Sequence, residues 1–279
     1  MPGQSSAGVK SIMLWMPVNF AARALRLRWT IWLMAKRELV SRYVGTLGGP
    51  VWVIIQPLVT VAVYWLVFAV GFRAHTPSGV PFVYYFLSGY LPWLFFSEAL
   101  NTGANSIVSK SYIVKKTIFP SDVLPLVCIL SASILHLVLG LIFIAFLLAG
   151  GFGLSIFLPE ILYFYVCLLC LLLGLTLMLS SLYVFNRDVG QVLSVALNLW
   201  FWITPIAWSS DILPSKVQAI LAWNPLFYVV EGYRAALVYH LPFWNDINGA
   251  ARFWAVALPS LLVGGFVFQR LKPDFADAL

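Results

Sequence analysis

Charged residues are scarce in this sequence of 279 residues, because only 10% are Asp, Glu, Lys or Arg whereas 62% are hydrophobic. A water-soluble domain of this length needs more charge to cover its surface, so the scarcity of charge excludes a water-soluble domain. Most of the chain must therefore lie in the lipid bilayer. Short segments of alternating hydrophobicity are also missing, which excludes a transmembrane barrel, since the apolar runs are long and continuous. The sequence therefore predicts an all-α membrane protein, because helices satisfy their own backbone groups in lipid.

The residues that catalysis, redox chemistry and metal binding need are equally sparse. No Gly-Lys pair occurs, which excludes a phosphate-binding Walker loop. The three histidines have no carboxylate or cysteine at metal-ligand spacing, and the three cysteines lie in apolar stretches, where small packing residues are expected. Residues 1–28 lack the apolar core and cleavage site of a signal peptide. We therefore expect neither an enzyme active site nor a metal or cofactor in this chain.

Six hydrophobic stretches have the length of a membrane span, which takes about 20 apolar residues. The second contains Gly89 and Pro92, which we expect to break or kink its helix. The chain begins with a tail at residues 1–19 and a basic helix at residues 20–44, and residues 45–279 form the transmembrane domain. The predicted spans are residues 50–72, 82–107, 123–150, 160–185, 189–208 and 250–270.

The basic helix predicted at residues 20–44 is amphipathic rather than membrane-spanning. At the helical period, Arg23, Arg26 and Arg37 fall on one side, opposite a side that includes Trp29. Such a helix lies flat on the cytoplasmic leaflet with its tryptophans inserted among the lipids. We therefore predict an interface helix at the start of the chain.

Positive charge is concentrated on one side of the predicted topology. Thirteen of the seventeen Lys and Arg residues precede the first span, lie in the second and fourth connections, or follow the last span. Because positively charged loops stay in the cytoplasm, both termini are expected there. The formal net charge of +7 thus indicates membrane topology and not a nucleic-acid partner.

The cytoplasmic half of the second span is polar at helical spacing, and this pattern has two interpretations. Either the helix end emerges into water, or its polar side faces a hydrated path, since polar groups avoid lipid unless they have partners. Glu98 is the one carboxylate placed well inside a predicted span, so we expect it to face a partner or water. The polar-path residues are Ser97, Glu98, Asn101 and Asn105.

The connection between the fifth and sixth spans, residues 209–249, is too long for a turn and too apolar for an exposed loop. We predict two short helices, at residues 214–223 and 225–239, that dip into the outer leaflet and return. Re-entrant segments are tolerated only against protein or a water-filled cavity. Their presence therefore implies a path through the membrane.

Aromatic residues make up 16% of the chain, and the belts at the two membrane interfaces account for many of them. Two clusters fit that explanation less well, because they lie within predicted spans. Aromatic faces attract the weakly positive C–H faces of sugar rings, so these clusters predict a channel along which a glycan slides. The channel-lining residues are Tyr64, Phe68, Phe72, Trp200, Phe201 and Trp202.

A series of short motifs, rich in Pro, Trp and basic residues, follows the order of the predicted elements. The first group runs from the interface helix into the first span, the second surrounds the second connection, and the third follows the fourth and fifth spans. The motifs are residues 37–43, 47–52 and 56–58, then 105–108, 114–116, 119–120 and 124–125, and finally 186–188, 201–206, 212–214 and 224–226.

In their order and spacing these motifs resemble the membrane subunit of ABC-2-type polysaccharide exporters, which move lipid-linked O-antigen, capsular polysaccharide or teichoic acid. The resemblance covers nearly the whole chain from about residue 20. It implies a homodimeric permease in the inner membrane of a bacterium, with O-antigen as the first choice of substrate. It also implies two separate ATP-hydrolysing subunits, which bind the ATP and Mg²⁺ that this chain does not.

The resemblance also implies roles for individual segments. Residues 108–120 would couple to the ATPase, residues 209–245 would gate the outer mouth, and the first and fifth spans of both copies would line the channel. Basic residues of the interface helix would meet either the pyrophosphate of a lipid carrier or anionic lipid headgroups. The residues expected to couple to the ATPase are Lys110, Tyr112, Lys115, Lys116, Phe119 and Pro120. Those expected to form the periplasmic gate are Pro214, Trp223, Asn224, Pro225, Glu231 and Arg234. Those expected to meet phosphate groups are Arg23, Arg26, Arg37 and Arg42.

Two other functions remain open. A permease of the same type could export a lipid or a drug, although the aromatic density and the lysine-rich coupling segment favour polysaccharide. An integral-membrane glycosyl- or acyltransferase should carry clustered Asp, Glu or His near one face, and the sequence shows no such cluster. A neighbouring gene for a Walker-motif ATPase would separate a transporter from an enzyme.

Overall fold

The computed structural model of the chain describes residues 22–41, 48–73, 76, 79–116, 120–153 and 155–279. Every regular element in these ranges is helical and none of their residues forms a β-strand, which confirms the predicted all-α class. The predicted tail, Arg42, Phe119 and the side chain of Lys116 lie outside what is described.

The described residues form α-helices of four to 27 residues. These helices are α1 (Arg28–Ser41), α2 (Trp52–Tyr64), α3 (Phe82–Ala104), α4 (Ser111–Lys116), α5 (Val123–Ala149), α6 (Ile161–Phe185), α7 (Asp188–Ile203), α8 (Ser215–Leu221), α9 (Pro225–Arg234), α10 (Ile247–Leu271) and α11 (Phe275–Ala278). Two of them continue as π-helix, α2 through Trp65–Gly71 and α9 through Ala235–Tyr239.

Four helical stretches of the described residues are long and apolar enough to cross a membrane. Each overlaps one of the predicted spans, namely the first, third, fourth and sixth, and the stretches in the fourth and sixth extend beyond the predicted limits. They are Ile54–Gly71, Val123–Ala149, Leu158–Phe185 and Phe243–Ala278.

The helices in the second and fifth predicted spans differ from these four. α3 has 23 residues, but its second half is polar. α7 is apolar but has only 16 residues, a length of about 24 Å against a hydrocarbon core of about 30 Å. It ends at Ile203, before the predicted limit at residue 208, because Thr204 precedes Pro205 and takes an extended backbone.

α3 lies at the centre of the molecule, where it packs against α5, α6, α7 and α9. Most of its side chains are buried, and Phe86 and Phe96 are fully enclosed. The helix is continuous through Gly89 and Pro92, so of the predicted break or kink the break does not occur. A proline removes one helical hydrogen bond, and packing on several sides compensates for that loss here.

α6 and α10 pack backbone to backbone through small residues. A Cβ atom built on Gly174 of α6 would lie 2.5 Å from the carbonyl carbon of Ser260. One built on Gly264 of α10 would overlap the carbonyl oxygen of Gly174. Because lipid tails are as apolar as the side chains, close van der Waals contact of this kind is what holds membrane helices together. The two glycines therefore set the spacing of this helix pair.

α2 and α7 present wide apolar faces that no other described residue covers. Val59 and Val63 of α2 are more than half exposed, as are Val195 and Leu199 of α7. None of the residues in the π-helical continuation of α2 is buried. An apolar surface of this size is covered in the working protein by lipid or by another protein.

The long helices alternate in direction, which gives the molecule two ends. At one, termed the α1 end, Ile31 and Ala35 of α1 pack on Val123 and Val127 at the start of α5. At the opposite end, termed the α9 end, α9 packs against the start of α3 beside Tyr85. The predicted site residues are distributed between these two ends.

Candidate transport site

The two predicted aromatic clusters form one continuous surface. The ring of Tyr64 in α2 lies 5.5 Å from that of Phe201 and 6.2 Å from that of Trp202, both in α7, measured between centroids. Phe68 extends the row towards Phe72, with 5.7 Å between their centroids. Ring pairs of this kind contribute about 0.5–1.5 kcal/mol beyond their buried area, so they hold α2 against α7.

The aromatic residues of this surface differ in exposure. Phe72 is 73% exposed and Trp202 is 50% exposed, so both can face a passage. Phe201, in contrast, is buried in the core. Trp200 is partly buried and donates a hydrogen bond from Nε1 to Asn224. Phe201 and Trp200 therefore support the aromatic surface from behind.

Asn224, a predicted gate residue, joins α7 to α9. Its Oδ1 accepts hydrogen bonds from Trp200 Nε1 at 2.9 Å and from the backbone N–H of Leu226 at 3.1 Å, which makes it the N-cap of α9. Its Nδ2 donates to Thr204 Oγ1 at 2.9 Å. Pro225 follows at the first helical position, where its fixed φ suits a helix start. One carboxamide thus ties the end of α7 to the start of α9.

Two other predicted gate residues flank α8. Pro214 is the residue before its first turn, with an extended backbone that ends the preceding segment. Trp223 lies between α8 and α9 and is 58% exposed, so its ring projects from the α9 end.

Arg234 of α9 is fully buried, and polar groups from three parts of the chain surround its guanidinium. Nη1 donates to Glu231 Oε1 at 2.6 Å, Nη2 to the carbonyl of Ile206 at 2.7 Å, and Nε to the carbonyl of Tyr85 at 3.3 Å. A Cβ atom on Gly89 would lie 2.8 Å from Nη2, so that glycine makes room for the guanidinium. A buried charge is tolerated only with such partners, and Arg234 therefore fastens α9 to α3 and to the segment after α7.

Ion pairs hold the α1 end together on both sides of α4. Before α4, Lys110 Nζ lies 2.7 Å from Glu38 Oε2 of α1. After α4, the carboxylate of Asp122 is almost fully buried and pairs with Arg23 at 2.7 Å and with Lys272 at 3.3 Å. Shielded pairs are screened less by salt than exposed ones. Charges thus join α1, the coupling segment and the chain after α10.

The predicted coupling residues occupy different environments around α4. Lys110 is engaged with Glu38, whereas Tyr112 is 64% exposed and Lys115 is also exposed. Pro120 is partly buried just before α5. Tyr112 and Lys115 are therefore the members of this set that a partner protein can reach.

The predicted phosphate-binding arginines also separate into two groups. Arg23 is engaged with Asp122, so its charge is already compensated. Arg26 and Arg37, both in the predicted interface helix at residues 20–44, have exposed side chains. Among the described arginines of this predicted set, Arg26 and Arg37 therefore present their charge at the surface.

A polar cleft of about 300 Å³ opens at the α1 end between α1, α3, α6 and α7. It divides the predicted polar-path residues. Asn101 and Asn105 line the cleft, whereas Ser97 donates a hydrogen bond to a carbonyl of its own helix and Glu98 borders a small gap beside His136. The cleft is lined further by Glu38, Thr102, Ser109, Tyr183, Gly190, Gln191 and Ser194.

The described side chains offer no obvious metal site. Among them, no three His, Cys, Asp or Glu residues lie close enough together to hold an ion. His136 Nε2 is 2.9 Å from the hydroxyl of Tyr233, and its ring stacks on Phe95 at 4.9 Å between centroids. This histidine is part of the packed interior.

Several residues that organise the site are missing from the sequence-based prediction. Asp122 and Lys272 are far apart along the chain, and nothing in their local patterns indicates that they meet. Gln191 lies in the first turn of α7, which begins with Asp188, and polar residues are ordinary at a helix start. One signal was available for Asp122, because it is an acid at the mouth of a span on the basic side of the topology.

Comparison with known proteins places this architecture in a family. A family model described as ABC-2 type transporter matches residues 30–238, which extend from α1 through α9. The chain is 26% identical over 254 residues to the O-antigen export system permease protein RfbA of Klebsiella pneumoniae, covering 88% of this chain and 93% of the relative.

Two further relatives come from other bacteria. The protein of the same name from Myxococcus xanthus is 29% identical over 251 residues, covering 88% of this chain and 94% of the relative. The polysialic acid transport protein KpsM of Escherichia coli is 24% identical over 212 residues, covering 75% and 81%. The chain belongs to the ABC-2 type transporter family, and it is a membrane transport subunit rather than an enzyme.

Proposed function

We propose that this chain is the permease of an ATP-driven exporter that moves a lipid-linked polysaccharide, with O-antigen as the first candidate, from the cytoplasm to the periplasm. The observation that carries the proposal is similarity over 88% of the chain to permeases named for O-antigen export in two bacteria. The relative named for polysialic acid transport supports the same substrate class.

The channel is formed by a homodimer in which α2 and α7 of each copy face the passage. Both helices carry apolar faces that the rest of the described chain leaves uncovered, and both contribute to one aromatic surface. Exposed rings such as Trp202 offer flat faces to sugar C–H groups without deep binding wells. A second copy would cover the apolar faces and enclose the aromatic surface.

Six helices cross the inner membrane of a bacterium, with both termini and the α1 end in the cytoplasm. They are α2, α3, α5, α6, α7 and α10, which alternate in direction. The basic residues of α1 and α4, together with Arg187 and Arg270, lie at the α1 end, as expected for the cytoplasmic side. In this orientation α1 is the interface helix, and α8 and α9 form the periplasmic gate.

Two separate ATP-binding subunits bind ATP and Mg²⁺ and act on α4. The exposed Tyr112 and Lys115 support α4 as their contact. The ion pairs that flank α4 would transmit its movement to other helices. Lys110 is paired with Glu38 of α1, and Asp122, paired with Arg23, directly precedes α5. At the interface helix, the outward charges of Arg26 and Arg37 suit either a carrier pyrophosphate or anionic headgroups.

An exporter of a lipid or a drug is the second candidate, and one observation favours it. A cavity of about 220 Å³ lies between α2, α3 and α5, with an apolar lining that includes Val61, Leu87 and Phe143. Such a cavity suits a hydrocarbon chain or an apolar drug.

Deletion of the gene in its own bacterium tests the proposal. Without the permease, we expect loss of the surface polysaccharide and accumulation of lipid-linked polysaccharide inside the cell, measured by gel electrophoresis of surface and cytoplasmic fractions. Complementation with the intact gene should restore the surface fraction, and the purified permease should bring an ATPase with it.

The opposite results would reject the proposal. A deletion strain with normal surface polysaccharide and increased sensitivity to drugs would favour the second candidate. Enzymatic turnover by the purified chain alone, without an ATPase, would contradict a transport function altogether.

A further inference from the structure

The polar cleft at the α1 end differs in chemistry from the aromatic surface farther along α7. Its volume of about 300 Å³ is large enough for a ligand, and carboxamide and hydroxyl groups dominate its lining. Three of these groups are the carboxamides of Asn101, Asn105 and Gln191, all exposed to the cleft. Within the part of the chain that the structure describes, none of these three side chains makes a hydrogen bond. Their donors and acceptors are therefore available to a ligand.

The charge in the cleft is already balanced. Glu38 is the one ionisable acid among the described lining residues, and its carboxylate lies 2.7 Å from Lys110 Nζ. Both side chains are largely shielded, at 21% and 13% exposure. A phosphate group would meet a carboxylate and no uncompensated cation among these residues, which disfavours an anionic ligand. The cleft suits a neutral molecule that both donates and accepts hydrogen bonds.

An aromatic ring forms one wall of the cleft and is held in place by a glycine. A Cβ atom on Gly190 would lie 2.5 Å from Cε2 and 2.7 Å from Oη of Tyr183. The ring thus rests directly on the first turn of α7, where a larger residue would displace it. Flat carbohydrate C–H faces pack on such rings while their hydroxyls reach neighbouring carboxamides.

We infer that this cleft binds neutral sugar residues of the polysaccharide at the cytoplasmic side, and that it does not bind the phosphate of the lipid carrier. The inference rests on the proposed function, and it adds the part of the substrate that the cleft recognises. Ser194 of the cleft and Trp202 of the aromatic surface lie on the same helix. α7 therefore offers sugars polar contacts at its start and aromatic contacts at its end.

The test uses the permease with its ATPase partner in lipid nanodiscs. Two probes are compared, lipid-linked polysaccharide extracted from the source bacterium and bare undecaprenyl pyrophosphate, and the readout is the concentration that half-maximally stimulates ATP hydrolysis. The Asn101→Leu/Gln191→Leu double variant places an apolar side chain of comparable bulk at both positions and removes the hydrogen-bonding groups. Because each hydrogen bond contributes modestly, we expect about a tenfold rise for the polysaccharide probe and less than about a twofold change for the bare carrier.

Two control variants keep the result interpretable. Asn248→Leu makes the same chemical change at an exposed position in the first turn of α10, outside both the cleft and the predicted gate, and it should leave both probes unaffected. The single Gln191→Leu variant changes one exposed helical position, so it should fold even if the double variant does not, with about a threefold rise for the polysaccharide probe.

The outcomes separate the inference from the proposed function. Equal shifts for both probes would show that the cleft recognises the carrier phosphate. No shift for either probe would show that the cleft takes no part in substrate recognition. Either result overturns the inference and leaves the proposed function standing. If the unaltered complex responds to neither probe, the proposed function fails and the inference fails with it.

Discussion

The α6–α10 pair and the α2–α7 pair represent opposite ways of packing helices in one chain. In the first pair, glycines bring two backbones into direct contact, and a Cβ atom on Gly174 would already collide with Ser260. In the second pair, side chains meet through aromatic rings, and valines such as Val63 and Val195 remain exposed. The contact of the first pair is fully formed within one copy of the chain, whereas the second pair leaves apolar surface that one copy does not cover.

This difference indicates where the molecule is rigid and where it can move. Backbone contact leaves no room for sliding, because a packed interface tolerates only discrete arrangements. Rings and exposed valines form a looser contact that a second copy or a substrate can rearrange. The α6–α10 pair therefore serves as a scaffold together with α3, and we expect α2 and α7 to belong to the part that opens.

The largest expected effect comes from filling the scaffold contact. Gly264→Ala adds a methyl group that must overlap the carbonyl oxygen of Gly174, and we expect a loss of about 3 kcal/mol of stability. The measurement is the midpoint of thermal unfolding in detergent, together with the yield of monodisperse protein.

The matched control is Gly140→Ala, in α5, where a Cβ atom would lie 3.8 Å from Leu91 in ordinary contact. This variant should unfold within a few degrees of the unaltered protein. Equal destabilisation by the two substitutions would show that the α6–α10 contact is not special.

A smaller effect is expected where α9 is fastened to the scaffold. Arg234→Met retains length but removes the donors that satisfy Glu231 and two backbone carbonyls. Since Glu231 is partly exposed and can recover water, we expect a loss of about 2 kcal/mol rather than the full cost of breaking a buried pair. Unfolding midpoints would measure it.

Arg252→Met provides the comparison at the same end of the molecule. Arg252 is partly exposed and lies 3.8 Å from Asp246, so its replacement should change stability by less than about 0.5 kcal/mol. A similar loss for both arginines would mean that burial of Arg234 does not matter to the fold.

Much of this scaffold could be predicted from the sequence, because apolar run length determines where a helix can span. The predicted span at residues 160–185 corresponds to α6, and that at 123–150 corresponds to α5. The two helices predicted after the fifth span also occur, as α8 and as α9 with its π-helical continuation. The end of α7 was missed although Thr204-Pro205 signals it, since the apolar run continues past the proline.

The site was predictable only in part, because its key contacts join distant residues or use the backbone. Arg234 was singled out, but its partners are carbonyl groups that every residue possesses, so no pattern reveals them. Asn101 and Asn105, two of the four residues that helical spacing groups together, both line the cleft. Gln191 joins them only through the packing of α3 beside α7, which the sequence does not specify.

We expect the exposed faces of α2 and α7 to meet a second copy of the chain across the passage. Single cysteines at Val195 in α7 and at Leu141 in α5 compare two apolar positions of similar exposure, 62% and 67%. We predict that Val195→Cys protein in membranes forms disulfide-linked dimers on mild oxidation, in a yield that changes when the ATPase partner binds ATP. Leu141→Cys protein, and the unaltered chain with its three native cysteines, should remain monomeric on the gel. Dimers through Leu141→Cys and none through Val195→Cys would contradict the account.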